Sequence, residues 1–598
     1  MGPRRSIRTG MCATTIPRMS LSRFPLSGHG AGSCAVALAA AALIAGAAPV
    51  SAQNDASGGG LPDGGIPVAS DLVHRVCGDC HPSDEQGRMS RISYQRTSPE
   101  GWQQTIRRMV LLNDLQIEPA DAREAVRYLA THHGLAPEEA RLGAFEVERR
   151  NIDFFYQADP ETQETCNRCH SMGRVLNQRR TLEEWGLLTA MHRGYYPFAD
   201  FQSFTRNVDS RGEGADGGDD ADERTAVERA VAHLAEAFPL DTTEWTSWSA
   251  NMRTPVLDGT WALVGHERGQ GPVYGTLTVA SDPSAPDELD TRTSYRYPSR
   301  DVEVTRTGEA LIYTGYQWRG RSTSPGQFEA REVMFLSRDR EEITGRWFTG
   351  GYDERGIDVT LRRVGSEPLI TGVYPRSVPS RAGDVTLQLF GANLPQPLDA
   401  ASIDLGAGLT VTAVSEPSAT SATLAVTVDA EARIGARDLF IGSASLTAAV
   451  TVFDEIHRLD VTPATGLARV GGIVFPKQYE YFEARAWHDG PDGESGTDDD
   501  LDLGMVDVDW SVEEYAVTYD DDDTAFVGTL GEDGAFEPAV DGPNPERSGN
   551  RNNVGDVWVV ATLAAEPVSG VELERPLRAR AHLLVTVPVY LRRGESGP

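Results

Sequence analysis

From about residue 53 to 248 the apolar positions recur at helical spacing. Trp102, Ile106 and Met109 stand at i, i+4 and i+7, and Trp185, Leu188 and His192 at i, i+3 and i+7, so each run presents one face of a helix. Aligning the two tryptophans sets Gly101-Trp102 through Met109 against Glu184-Trp185 through His192. Further on, Ala125-Val126 to Ala130 matches Ala230-Val231 to Ala235. A repeat of this kind predicts two tandem copies of one helical unit.

Near Asn251 the pattern changes to short runs of alternating residues separated by Gly and Asp turns. Gly259 to Gly265, Tyr274 to Val279, Ile312 to Trp318 and Ile357 to Leu361 read as strands of an antiparallel barrel over 249–365. The run Gly345-Arg346-Trp347-Phe348 with its nearby arginines suggests a binding surface as one reading, but aromatic residues in strands are more often core. A second β region, 366–453, places Val385, Leu387 and Leu389 on one face with Thr386 and Gln388 on the other; Leu424, Val426 and Val428 repeat the period. That spacing suits an immunoglobulin-like sandwich. The remainder, 454–598, is again strand-rich and reads as a second sandwich-like domain. Its acidic runs, Asp498 to Asp500 and Asp520 to Asp523, lack the spacing of a calcium loop and read as solvated loops.

Length and charge narrow the function classes. At roughly 150 residues per domain, 598 residues suggest about four domains. With 55 basic against 88 acidic side chains the formal charge is -33, which disfavours nucleic acid or an anionic membrane surface as partner. Lys477 is the only lysine, so Schiff-base chemistry has almost no candidate. The insertion from Gly212 to Glu223 is too acidic and Gly-rich to build core and reads as a solvated loop; docking of a basic partner is the alternative. No later segment reaches the length of a membrane span.

The first 52 residues hold Arg4, Arg5, Arg8, Arg18 and Arg23, no acid, an Ala-rich apolar run from Ala35 to Val50, and a small-x-small end at Val50-Ser51-Ala52. These features predict a signal peptide over 1–52 and export. A membrane anchor is the competing reading, but the run is short for one. Cleavage after Ala52 removes five arginines and no acid, leaving a still more acidic chain.

Of six cysteines, Cys12 and Cys34 leave with the signal. The other four form Cys77-Gly-Asp-Cys80-His81 and Cys166-Asn-Arg-Cys169-His170. Cys-x-x-Cys-His is the signature of covalent c-type haem attachment, in which two thiols become thioethers and the adjacent His ligates iron. A shared zinc site conflicts with the long gap between Cys80 and Cys166. A thioredoxin-like motif needs no following His, and two disulfides would each close only a tiny loop. The predicted fold class is therefore a multidomain chain: an all-α dihaem cytochrome c domain over 53–248, then three all-β domains, one barrel and two immunoglobulin-like sandwiches.

Each iron also needs a ligand on its other face. The repeat offers Met109 to the first haem, opposite His81, and His192 to the second, opposite His170. Met89, His132 and His133 compete at the first iron, and Met172, Met191 and His233 at the second. Met/His ligation raises a reduction potential relative to two imidazoles, so the bis-His unit is expected to carry electrons before the Met/His unit.

These elements together resemble the alpha subunit of quinohemoprotein amine dehydrogenases. The resemblance rests on the dihaem repeat, Gly259-Thr-Trp261, Tyr313-Thr-Gly-Tyr-Gln-Trp318-Arg-Gly320, Gly345-Arg-Trp-Phe-Thr-Gly350, Ala468-Arg-Val-Gly-Gly472 and Asp541-Gly-Pro-Asn-Pro-Glu-Arg547, in that order. It implies a periplasmic enzyme of three subunits that oxidises primary amines to aldehydes and ammonia. It also implies a quinone built from a Cys and a Trp in a small partner subunit, with electrons passing through the alpha-subunit haems to a small copper protein or a soluble cytochrome c. All four mature cysteines are taken by haem, so none remains here for such a quinone, and no catalytic residue is expected in this chain. A dihaem cytochrome c peroxidase and a stand-alone electron-transfer cytochrome are the alternatives.

Overall fold

The computed structural model describes residues 64–588 apart from 145–155, 169, 206–223, 350–354, 517–521, 549–550, 565–570, 572 and 574. The predicted signal peptide, the insertion from Gly212 to Glu223, Asp520 and Cys169 lie outside the described residues. Within them no helix is long and apolar enough to cross a membrane.

The N-terminal region carries helices α1 (Asp71–Cys77), α2 (Pro99–Asn113), α3 (Pro119–His132), α4 (Pro137–Arg141), α5 (Pro160–Cys166), α6 (Gly173–Leu176), α7 (Leu182–Tyr195), α8 (Ala226–Ala237) and α9 (Thr243–Asn251). The repeat fixes how its main helices start. Ser98 Oγ accepts the Gly101 N–H at the head of α2, and Thr181 Oγ1 accepts the Glu184 N–H at the head of α7, both at 3.2 Å. Such a cap contributes about 1 kcal/mol. Each helix then buries its tryptophan, and each indole N–H donates to the carbonyl that closes the neighbouring helix: Trp102 to His133 O at 2.9 Å, Trp185 to Phe238 O at 3.4 Å.

The expectation of an all-α domain here is overturned. The chain is mostly β, 41% strand against 22% helix among the described residues, and the N-terminal region itself contains a sheet. Strand β1 (Gln95–Thr97) pairs antiparallel with β2 (Gln178–Arg180), in the register Gln95 to Arg180 and Thr97 to Gln178. Three residues are too few to show a period of two, and both strands are polar, so the hydrophobic pattern gives no sign of them. The sheet ties the two repeats together, and a Cβ at Gly101 would collide with the Thr97 side chain, so α2 lies tightly against β1.

Behind this sheet sits a buried ionic knot. Arg96, wholly buried, donates to Glu139 Oε2 at 2.7 Å and Oε1 at 2.9 Å, and also to Gly134 O and Leu240 O. Arg179 reaches the same carboxylate at 3.2 Å. Breaking a buried pair by removing one partner costs about 3–5 kcal/mol. Arg96→Met should therefore lower the unfolding free energy by about that amount in chemical denaturation, and a wild-type midpoint would contradict the assignment.

Eight antiparallel strands close a barrel: β3 (Gly259–Glu267), β4 (Gly271–Asp282), β5 (Ala285–Tyr297), β6 (Val302–Tyr313), β7 (Gln317–Thr323), β8 (Ala330–Leu336), β9 (Glu342–Phe348) and β10 (Gly356–Arg363), with β10 returning to β3. Trp261, Trp318 and Trp347 fill its interior. The run Ile312 to Trp318 is not one strand, because Thr314 (φ 57°) and Gly315 (φ 73°) turn the chain between β6 and β7. That turn faces the N-terminal region: Thr314 O accepts from Trp248 Nε1 at 2.8 Å and Tyr316 donates to Leu135 O at 3.0 Å.

Arg319 of β7 meets Glu100 of α2 at 2.5 Å. Burial alone would raise the Glu100 pKa, but Arg319 and then Arg331 outweigh it and hold it at about 2, below its ordinary 4.5. A depressed carboxyl pKa contributes stability that is present above the unfolded value and is lost as pH falls through the folded one. The stability difference between the wild type and Glu100→Gln should thus be full above pH 4.5 and vanish towards pH 2 in pH-dependent denaturation. A pH-independent difference would oppose it.

Residues 369–453 form two four-stranded sheets whose inner faces share one core, with Leu387, Leu389, Leu424 and Val426 from one and Leu439, Ile441, Val450 and Val452 from the other. The last region departs from a simple two-sheet sandwich: it has sheets of three, four and three strands and the short helix Asp523–Phe526. Its acidic runs are not merely solvated. Asp500 pairs with Arg458 at 2.6 Å, and Asp523 with the buried Arg547 at 2.5 Å.

Candidate functional site

The second Cys-x-x-Cys-His segment begins where α5 ends. Cys166 is the last residue of that helix, and His170 follows beyond Cys169, which lies outside the described residues. A cavity of about 350 Å3 opens there, with Cys166, His170, Trp185, Leu188 and His192 in its wall. The His170 and His192 ring centroids stand 6.5 Å apart, with the ring planes tilted 52° to each other. A metal–imidazole bond is about 2 Å and a ring centre lies about 1.1 Å from its nitrogens, so two imidazoles on opposite sides of one metal stand about 6.2 Å apart. The observed spacing fits a metal between them.

The hydrogen bonds fit as well. His170 Nδ1–H donates to Ser171 O at 2.9 Å and His192 Nδ1–H to Leu188 O at 2.8 Å. With Nδ1 committed to a carbonyl, Nε2 becomes the metal-binding nitrogen, the usual arrangement at ligating histidines. His81 shows the same signature, its Nδ1 lying 3.0 Å from Ser90 O. Burial lowers the His81 pKa and so favours the neutral form that binds a metal.

At the first segment, α1 ends at Cys77, and the chain turns so that the Cys80 and His81 amides both donate to Cys77 O. Cys77 packs against a core containing Trp102 and Ile106. Met109 is half-buried and stands one turn beyond Ile106 on α2. The structure thus brings Cys166, His170 and His192 around one cavity, whereas it gives Met109 only a position on α2, one turn beyond Ile106.

The structure also shows where the competing residues lie. His233 Nε2 lies 2.8 Å from the Tyr156 hydroxyl, and the His132 ring lies against Tyr128, centroids 4.6 Å apart and tilted 36°. Met89 and Met172 are core residues, while Met191 adjoins His192 in the cavity wall. His133 is wholly buried with neither ring nitrogen bonded among the described residues, and burial pushes its pKa down to about 3. Its counterpart in the repeat is Phe238, since each closes the second helix of its unit and receives the tryptophan N–H. A phenyl ring cannot ligate, so the second unit has no ligand at this position.

Burial works against a reactive thiolate at Cys77 and Cys166. Burial raises Cys77 to about 11, with Cys80 adding to it, and Cys166 to about 12, with Asp159 adding to it. A reactive dithiol needs the opposite shift. Cys77, Cys80 and Cys166 form no disulfide, and no group of three or more His, Cys, Asp or Glu comes together as a metal site among the described residues.

Sequence reasoning missed one feature of this site. The cavity wall includes Arg107, Arg108, Arg168, Arg174 and Arg180 and, among the described residues, no Asp or Glu. The doublet Arg107-Arg108 directly before Met109 was the available signal, but charges on an amphipathic helix ordinarily read as its solvated side.

Comparison with known proteins fixes the family. Residues 68–245 match the haem-binding domain of the quinohemoprotein amine dehydrogenase alpha subunit, 254–364 its domain II, 367–454 its domain III and 459–594 its domain IV. The chain belongs to the quinohemoprotein amine dehydrogenase alpha-subunit family. It is accordingly the alpha subunit of an oxidoreductase complex, with a haem-binding domain at its N-terminal end. No curated protein matches it. Among solved structures, a redesigned β-barrel is 17% identical, covering 18% of this chain and 93% of that one, with a TM-score of 0.16. Human protocadherin-24 EC1-2 is 12% identical over 37% of this chain and 98% of that one, with a TM-score of 0.15. Both likenesses are too low to carry an argument.

Proposed function

We propose that this amine dehydrogenase alpha subunit is exported to the periplasm, loses residues 1–52, and carries two covalently attached c-type haems. Cys77 and Cys80 anchor the first and Cys166 and Cys169 the second; His81 with Met109, and His170 with His192, would hold the two irons. The His170 to His192 spacing beside Cys166 is the observation that carries this reading. Each haem, when bound, supplies a one-electron iron couple.

The chain's own residues do the rest. Backbone carbonyls at Ser90, Ser171 and Leu188 set the imidazole tautomers, and Trp102 and Trp185 fix the helices that present Met109 and His192. Amine oxidation belongs to a cysteine- and tryptophan-derived quinone in a partner subunit. Haems held by His170 with His192 and by His81 with Met109 would supply the one-electron relay from that quinone, bis-His site first, to a small copper protein or soluble cytochrome c. Leu111, Phe198 and Phe201, exposed at 66, 73 and 82%, adjoin residues of the cavity wall and offer apolar surface of the kind subunit interfaces cover.

Purification from the native periplasm tests this. Two further subunits co-eluting with a quinone stain are expected. A lone haem protein would point to a stand-alone cytochrome, and peroxide turnover with a high-spin ferric signal to a peroxidase.

A further inference from the structure

The two repeats do not make two separate haem pockets. Helix α2, whose Trp102 and Ile106 pack into the first core, turns its other side to the second cavity, where Gly101, Thr105, Arg108 and Leu112 form part of the wall. The second pocket is therefore composite, closed by a helix of the first unit.

Charge singles out one residue of that wall. In a chain with 88 acidic and 55 basic side chains, five arginines around one cavity without a carboxylate is a large local reversal. Some have acidic partners outside the cavity: Arg180 meets Glu184 at 3.2 Å and Arg168 meets Glu164 at 2.6 Å. Arg108 differs. Its Nη2 donates to Thr105 Oγ1 at 3.2 Å, and its buried Nε meets no acceptor among the described residues. A buried guanidinium nitrogen without an acceptor is costly. The acceptor that suits it is a carboxylate, which a guanidinium can bind through two parallel N–H donors.

A haem carries two propionate carboxylates. We infer that Arg108, reaching from the first unit, binds a propionate of the second haem and, with the other arginines of the wall, raises that haem's reduction potential. The inference rests on the proposed second haem site. Positive charge near the iron favours the form holding one more electron, so the arginines offset part of the lowering that two imidazoles impose. The step between the haems becomes smaller than ligation alone would set.

An EPR-monitored redox titration of the purified complex tests this after pyridine haemochrome has counted the haems per chain. With two haems present, Arg108→Gln should shift the second haem's reduced-to-oxidised ratio about tenfold towards oxidised at a given potential, equal to 59 mV for a one-electron couple. The first haem should titrate unchanged. Arg108→Lys, which keeps the charge, should recover most of the shift. An unchanged second haem in Arg108→Gln, or an equal shift in both variants, overturns the inference. If Arg108→Gln loses haem, Arg108→Lys decides: a bound second haem of near-native potential supports the inference, and the same loss overturns it. Fewer than two haems in the wild-type chain would instead refute the two-haem reading on which it stands.

Discussion

Cys166→Ser combined with Cys169→Ser leaves a chain with one covalent haem in place of two. Thioether bonds need both thiols in their places, and the first segment, Cys77 to His81, lies in a separate core with its own tryptophan. The expected result is a halved covalent haem absorbance per chain after acid–acetone extraction, with the remaining haem keeping its methionine-to-iron charge-transfer band. The complementary pair, Cys77→Ser with Cys80→Ser, should retain the other haem and lose that band. An unchanged haem content in either double variant would remove the attachment assignment.

Exchanging the axial side chains has the second large effect. His192→Met converts the second pair from two imidazoles to an imidazole and a thioether, and its midpoint potential should rise by on the order of 100 mV, within the roughly 0.8 V that axial ligands span. His192→Ala should open the site and give a high-spin ferric signal. At the first haem, Met109→Ala should abolish the charge-transfer band. An intact band would move the assignment to Met89. These outcomes separate ligation from packing, since a helix residue with a purely structural role would change stability and leave spin state and potential alone.

Haem binding was legible in the sequence because its motifs are contiguous, and the repeat was legible because Trp102 and Trp185 index it. The barrel was legible from strands of alternating residues. What escaped the reading was set by residues distant in sequence. Strands β1 and β2 are three polar residues each; Gln95-Arg96-Thr97-Ser98 and Gln178-Arg179-Arg180-Thr181 repeat in the sequence, but in the fold they pair antiparallel, Gln95 with Arg180 and Thr97 with Gln178. The hairpin at Thr314 and Gly315 lay hidden inside an apolar run, and only its left-handed backbone reveals the turn. Arg108 drew no reading from the sequence, which does not show that the second repeat packs on that side of α2.

Denaturing intact-mass measurement of the exported chain is the most direct test of the two-haem, quinone-free alpha subunit. The predicted result is a polypeptide beginning near Gln53 that carries the added mass of two haems and of no further cofactor. A mass with one haem or none, or with a modification that places a quinone in this chain, would contradict it.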